Sequence, residues 1–325
     1  MKQEILEYLI CPACLPEENP LRLGISQGAG DEVIEGVLEC GCCRRAYPIG
    51  KGIARLTGAG AQRTENGKQN SLLRSPASVY ESPELLSAYL WSHYADLFGD
   101  PDASGAYSKW AGQISPIAGA ALDAGCALGR FCFEMSRKFD FVIGVDLSET
   151  FISTARRIME ERKLSFQLKE EGRIYSERTF LLPDLWDSGK VEFIVADANA
   201  LPFRSGSFNC VASLNLIDKI TQPLEHMFEA CRVASPGQAQ LLISDPFSWS
   251  ESECAPDAWL GGASEGRFDG FGIDNLAKLL SDESPAVKRP SCGWKIAGRG
   301  EVWWKIRNHR NHFELIRSLF IKAER

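Results

Sequence analysis

The residues with the clearest chemistry lie in the run ALDAGCALGRF, 121–131. An apolar stretch ends at Asp123, and Gly125 and Gly129 then bracket a tight turn before a helix-like segment. Glycine lets backbone approach a ligand closely, and a helix N-terminus offers free N–H donors to carboxylate or phosphate groups. Alone, such a loop indicates a nucleotide-type cofactor and no more, because dinucleotide-binding folds use similar turns. Two further apolar runs, FVIGVDLS and FIVADANALPF, place acids at Asp146, 21 residues after Gly125, and at Asp197. A carboxylate at the first of these positions can accept hydrogen bonds from both hydroxyls of a ribose. An Asp at a strand end can also cap the next helix, and Leu147-Ser148-Glu149 reads as a helix start.

A second constellation is metal-like. Five of the 11 cysteines fall between positions 11 and 43, and the other six are scattered singly. Cys11-Pro-Ala-Cys14 and Cys40-Gly-Cys-Cys43 form two CxxC pairs separated by 25 residues. Four thiolates from two such turns can close a tetrahedron around a structural Zn2+, and a unit this small needs a staple. Cys42 is the ambiguous member; Cys40 and Cys43 repeat the spacing of the first pair and are taken as ligands. A closed four-cysteine site leaves no open coordination position, so the metal is expected to be structural.

Both constellations need elements to hold them. Residues 1–57 form one compositional unit, 58–79 read as a polar, Gly- and Ser-rich linker, and 80–325 alternate short apolar runs with amphipathic stretches. That alternation predicts an α/β fold. Strands are expected at 119–123, 141–146, 192–196, 208–214 and 239–244, with a closing strand over 312–323. Helices are expected at 83–98, 129–138, 149–163, 223–234 and 274–281. Residues 165–182 alternate at period two around Glu171-Gly172, which predicts an inserted hairpin.

Composition narrows the function. A 44% apolar, 24% charged chain is that of a folded protein. A formal charge of -7 argues against a nucleic-acid coat, and residues 1–57 carry six basic against eight acidic residues. No apolar run approaches the ~20 residues a membrane span needs, and the N-terminus lacks a signal-peptide core, so a cytoplasmic location is expected.

The series D-x-G-x-x-x-G, VDLS, ADAxxLPF and SFNCVASLNLID resembles class I S-adenosylmethionine (SAM)-dependent methyltransferases in order and spacing. The resemblance implies a Rossmann-like, doubly wound, mostly parallel seven-stranded sheet behind the small zinc ribbon. It assigns Asp123, Gly125, Cys126, Ala127 and Gly129 to the cofactor loop, Asp146 and Leu147 to the ribose, Asp197 and Ala198 to the adenine, and Asn215 to the strand end beside the reacting groups. The family loop usually has glycine where Ala127 stands. Alanine fits there with a negative φ and is strained with a positive one.

ILEYLICPAC, LRL, LEC and AYPIGKGIARL, within residues 4–56, resemble the small zinc-ribbon proteins that bind and activate tRNA, rRNA and release-factor methyltransferases. In that family the ribbon covers an apolar surface of the catalytic subunit. A linker of about 20 residues favours docking on the same chain through effective concentration.

YESPELLSAYLWSHY (80–94), KEEGRIYSE (169–177), NLID (215–218), SDPFSWSESECAPDAWLGG (244–262) and IRNHRNHF (306–313) resemble the methyltransferase domain of ovothiol biosynthesis, which N-methylates a mercaptohistidine imidazole. That resemblance implies a small-molecule acceptor with a nitrogen or sulfur nucleophile. Asp218 is then the leading candidate general base, with His93, Tyr94 and Glu171 behind it. Asn215 could orient an acceptor by its amide, and Arg307 could pair with a substrate carboxylate through its fork of donors. An RNA-methylating enzyme and a non-catalytic, partner-stabilising subunit are the alternatives.

Overall fold

The structure, a computed structural model, describes residues 1–57, 82–281 and 293–325. The expected linker, 58–79, lies outside the described residues.

The ribbon opens with two single 3-10 turns, Gln3–Glu7 and Pro12–Cys14, followed by strands β1 (Leu21–Ala29), β2 (Glu32–Cys40), β3 (Ala46–Gly50) and β4 (Ile53–Leu56). These four run antiparallel in sequence order. The rest of the chain follows as α1 (Pro83–Tyr94), α2 (Ala106–Gly112), β5 (Ala120–Ala124), α3 (Arg130–Met135), β6 (Phe141–Asp146) and α4 (Glu149–Glu161). Then come β7 (Lys163–Glu171), β8 (Ile174–Leu181), β9 (Val191–Ala196), β10 (Cys210–Leu214), α5 (Pro223–Val233), β11 (Gln240–Asp245), α6 (Gly272–Leu280), β12 (Lys295–His309) and β13 (His312–Glu324).

Seven strands form the expected doubly wound sheet in the order β9-β6-β5-β10-β11-β13-β12. The first five are parallel, and β13 runs antiparallel between β11 and β12. The parallel strands read as unbroken apolar runs because helices cover both of their faces. Among the described residues β7 and β8 pair only with each other, as the inserted hairpin. The expected helix 83–98 ends at Tyr94 and continues as a 3-10 turn, Ala95–Phe98, closed by Gly99 at φ 72. The short helix α2 and the long strand β12 are additional to the expected elements.

The ribbon does not stand apart. β4 pairs in parallel with β9, Arg55 opposite Val195 and Leu56 opposite Ala196, so ribbon and domain share one eleven-stranded sheet. Ile5, Leu9, Tyr47 and Leu56 lie in the same buried cluster as Ile143, Phe203 and Phe208. Tyr8 stacks between Phe141 and Phe208 at 5.8 and 5.7 Å. Each such buried apolar side chain contributes about 1.5–3 kcal/mol. At the polar side of the junction, the Arg156 guanidinium pairs with the fully buried Glu192 and, at 3.3 Å, with Glu32 of β2. Among the described residues no helix is long and apolar enough to cross a membrane.

Candidate functional site: a cofactor cleft and a four-cysteine centre

Successive strands of the sheet end at the same rim. β5 delivers Asp123 and then the glycine turn, and the Gly125 and Cys126 amides donate to the Val145 carbonyl of β6 at 2.8 and 2.9 Å. Gly125 has φ 77, and a Cβ there would meet Leu216 at 2.8 Å; Gly129 has φ 76, and its Cβ would meet the Phe193 ring at 2.3 Å. Only glycine allows both the left-handed backbone and the close approach. Between them Ala127 sits at φ 45, with its amide donating to Asp146 Oδ2 at 3.0 Å. That is the strained outcome for alanine, worth about 1–2 kcal/mol. Ala127→Gly relieves it and gives back part through a freer unfolded chain. We expect a net gain of about 0.5–1 kcal/mol, seen as a higher melting temperature by calorimetry; a lower one would contradict the strain argument.

A cleft opens over this loop, lined by Gly125, Ala127, Asp146, Leu147, Asp197 and Ala198 together with Tyr89, Phe151, Leu216, Lys219 and Ile220. Asp146 accepts from Ser148 N at 2.8 Å as well as from Ala127 N. Capping of α4 falls to Ser148, whose hydroxyl accepts from Phe151 N at 3.2 Å, so the cap does not account for Asp146. Asp197 turns its Oδ1 to the Asn199 amide groups at 2.8 and 3.0 Å. His226, which carried no role in the sequence, bridges Ser213 (2.9 Å) and the Ala198 carbonyl (3.0 Å) and so fixes the floor beside Asp197.

Burial pushes the Asp146 carboxyl up to about 6, against the hydrogen bonds from Ser148, Ala127 and Leu147. Burial also pushes Asp123 up to about 7, opposed by the Cys132 thiol and reinforced by the Asp146 charge. Were Asp146 to take a ribose, the hydroxyls would donate to the ionised carboxylate, and cofactor affinity would rise with pH through about 6 and level off above it. Below that point it should fall by up to about tenfold per pH unit. Calorimetric titration of SAM across pH 5–8 checks this; a flat profile would remove Asp146 from the ribose site. In the free protein the sign reverses. A carboxyl raised above 3.8 on folding costs stability as pH climbs from 3.8 to about 6.

Four assigned cofactor residues lie behind the cleft. Asp123 and Cys126 are buried, Gly129 heads α3, and Asn215, at φ 55, accepts from the Ser318 hydroxyl at 2.6 Å. They shape the rim without lining it.

The acceptor-side candidates sit as follows. Arg307 is 6% exposed and donates to the Lys169 carbonyl (2.7 Å) and the Glu170 carboxylate (2.6 Å), so it pins β12 to β7. Glu171 is exposed at the tip of that hairpin, outside the cleft lining. Tyr94 is fully buried and donates to the Leu128 carbonyl at 2.6 Å, bracing the cofactor loop from behind. His93 is buried, bonds Tyr107 at 2.7 Å, and is held neutral by burial and by Arg130; it stands behind the Tyr89 ring. Asp218 is fully buried, accepting from Ser248 N at 2.8 Å and pairing with Lys219 at 3.3 Å. In this structure it braces the loops after β10 and β11. None of these five lines the cleft. Tyr89, Phe151 and Lys219 do.

The second constellation is assembled. The sulfurs of Cys11, Cys14, Cys40 and Cys43 lie within 4.8 Å of one another, with Cys11–Cys43 at 3.6 Å and Cys14–Cys40 at 3.7 Å. A zinc–sulfur bond of about 2.3 Å gives a tetrahedral edge of about 3.8 Å, so the set fits zinc. Cys42 is exposed and outside the group.

Comparison with known proteins agrees with both units. Residues 122–242 match the family model described as a methyltransferase domain, and residues 2–52 match the Trm112p-like protein model. The chain carries a methyltransferase domain behind a Trm112p-like zinc ribbon. It is 27% identical over 198 residues to an uncharacterized 37.1 kDa transposon protein of Streptomyces fradiae, covering 59% of this chain and 48% of that one. It is 24% identical over 124 residues to the ajmaline N-methyltransferase of Rauvolfia serpentina, covering 38% of this chain and 35% of that one. The match thus spans about half of the first relative and about a third of the second. A solved structure of a putative methyltransferase from Bacillus halodurans is 14% identical with TM-score 0.43, over 67% of this chain and 97% of that one.

Proposed function

We propose that the chain is a SAM-dependent methyltransferase acting on a nitrogen or sulfur of a small molecule, in the finest form of the reading an imidazole or histidine derivative. The cleft carries this reading: a glycine turn with two carboxylates, Asp146 and Asp197, at the ends of the next two strands. SAM would supply an electrophilic sulfonium methyl. The chain's own part is to bind and aim. Asp146 accepts the ribose hydroxyls, Asp197 takes the adenine amino group, and Tyr89 and Phe151 wall off water.

Methyl transfer is an in-line displacement. The acceptor lone pair forms the new bond to carbon as the carbon–sulfur bond breaks and its electron pair stays on sulfur. Most of the acceleration can then come from placement, and no buried base need reach the cleft. Nitrogen as the atom is supported by the name of the Rauvolfia relative. A cytoplasmic site of action completes the reading, and the ribbon serves its own chain.

An acceptor screen over histidine and thiol-histidine derivatives, amines and unmodified RNA, with SAM bound, tests the proposal. Transfer to an imidazole or thiol of the panel is expected. Transfer to RNA alone would favour the RNA-methylating alternative. Bound cofactor with no transfer to any acceptor would leave the non-catalytic one.

A further inference from the structure

We propose that Tyr47 is a positioning residue of the metal centre, its hydroxyl donating to the Cys11 sulfur. The inference rests on the reading of the four cysteines as a zinc site. Tyr47 sits on β3 opposite Leu38 of β2, two residues from Cys40, and is 2% exposed. Its hydroxyl oxygen lies 3.1 Å from Cys11 Sγ.

Without metal, either group could be the donor. With metal, Cys11 is a thiolate that can only accept, so the phenol must donate.

The need for such a donor follows from charge and burial. Four thiolates around one Zn2+ leave a net charge of minus two, and a buried sulfur cannot draw compensating hydrogen bonds from water. Cys14 is half-buried and Cys43 exposed, so solvent can serve them. Cys40 is buried and takes the Cys43 amide at 3.5 Å. Cys11 is fully buried, and Tyr47 brings the side-chain hydroxyl that reaches it. Phenylalanine would keep the packing and remove that donor. The site would then still close, with the Cys11 arm the weaker one.

The test uses the full-length zinc-loaded chain, comparing wild type, Tyr47→Phe and Tyr8→Phe. The last removes a ribbon hydroxyl that bonds no cysteine. Zinc release to a chromophoric chelator is followed in time, with zinc content measured beforehand by mass spectrometry. Tyr47→Phe should bind one zinc and release it about 10- to 100-fold faster, with Tyr8→Phe at the wild-type rate. Release from Tyr47→Phe at the wild-type rate overturns the proposal, as does equal acceleration in Tyr8→Phe. A wild-type chain that holds no zinc overturns the four-cysteine reading itself. Should Tyr47→Phe fail to fold, wild type loaded with 113Cd decides. A Tyr47 hydroxyl proton coupled to the metal is expected, and a rapidly exchanging, uncoupled one contradicts the bond.

Discussion

Stripping zinc from the intact chain should unfold the ribbon and abolish SAM binding together. Structural zinc in small domains contributes apparent binding energies of about 10–16 kcal/mol that are folding energy, far more than a unit of this size stores in its own core. The loss would not stay local. β4 covers the edge of β9, with Leu56 opposite Ala196, the residue before Asp197. On the other flank, Arg55 pairs with Glu149 in the first turn of α4, three residues beyond Asp146. Both carboxylates of the cleft are therefore held from the ribbon side, and the apolar surface around Phe141 and Phe208 loses Tyr8. Chelation followed by circular dichroism, light scattering and SAM titration checks the coupling. The expected result is loss of β-signal, aggregation and no heat of binding. Retained SAM affinity in a metal-free, soluble protein would show that the junction does not support the site.

The second large effect is expected at Gly129. An alanine there combines a left-handed backbone at φ 76 with a Cβ 2.3 Å from the Phe193 ring, which is fully buried and edge-on to Phe133 at 5.6 Å. The same ring also lies against Gly144, where an added Cβ would meet it at 2.7 Å. The backbone costs about 1–2 kcal/mol and the overpacking about 1–3 kcal/mol, so Gly129→Ala should lose about 2–5 kcal/mol of stability. It should also lose cofactor affinity by moving the loop. Denaturant unfolding and SAM titration measure the two. A loss under about 0.5 kcal/mol would mean that the ring and loop are not in contact as described. Gly172, at φ 53 in the hairpin tip, has open space around it and should tolerate alanine far better.

The contrast between these sites explains what the sequence could and could not convey. Strands β5, β6, β9, β10 and β11 were legible because burial on both faces leaves an uninterrupted apolar run, ended at the functional rim by an acid, a glycine or, after β10, Asn215. Asp146 and Asp197 were legible for the same reason: position along a strand fixes which end of the sheet a residue reaches. The acceptor-side residues were not legible. Arg307 and Glu170 meet across 137 positions of chain, and nothing local to Arg307 announces that pairing. Asp218 looked like a base at a strand end, yet its neighbour Lys219 reaches the cleft while Asp218 turns inward to Ser248. Tyr89 shares its helix face with packing residues, and periodicity cannot separate a wall of a cleft from a wall of the core. The parallel register of β4 on β9 joins segments on either side of the domain's first half, so only the three-dimensional structure reveals that ribbon and domain form one sheet.

Ala127 shows the same limit from the other direction. Its identity was visible as a departure from glycine, and its cost depended on the sign of one dihedral. The structure gives the strained sign and also shows what is gained there, an amide aimed at Asp146.

The central claim, that the cleft over Gly125 and Asp146 holds SAM, is tested most directly by calorimetric titration at pH 7.5 of the zinc-loaded chain beside Asp146→Ala and Asp197→Ala. The account predicts one SAM per chain for wild type, a loss of affinity of tenfold or more for Asp146→Ala, and a smaller loss for Asp197→Ala. Failure of the folded wild-type protein to bind SAM at millimolar concentration would contradict it, as would wild-type affinity in Asp146→Ala.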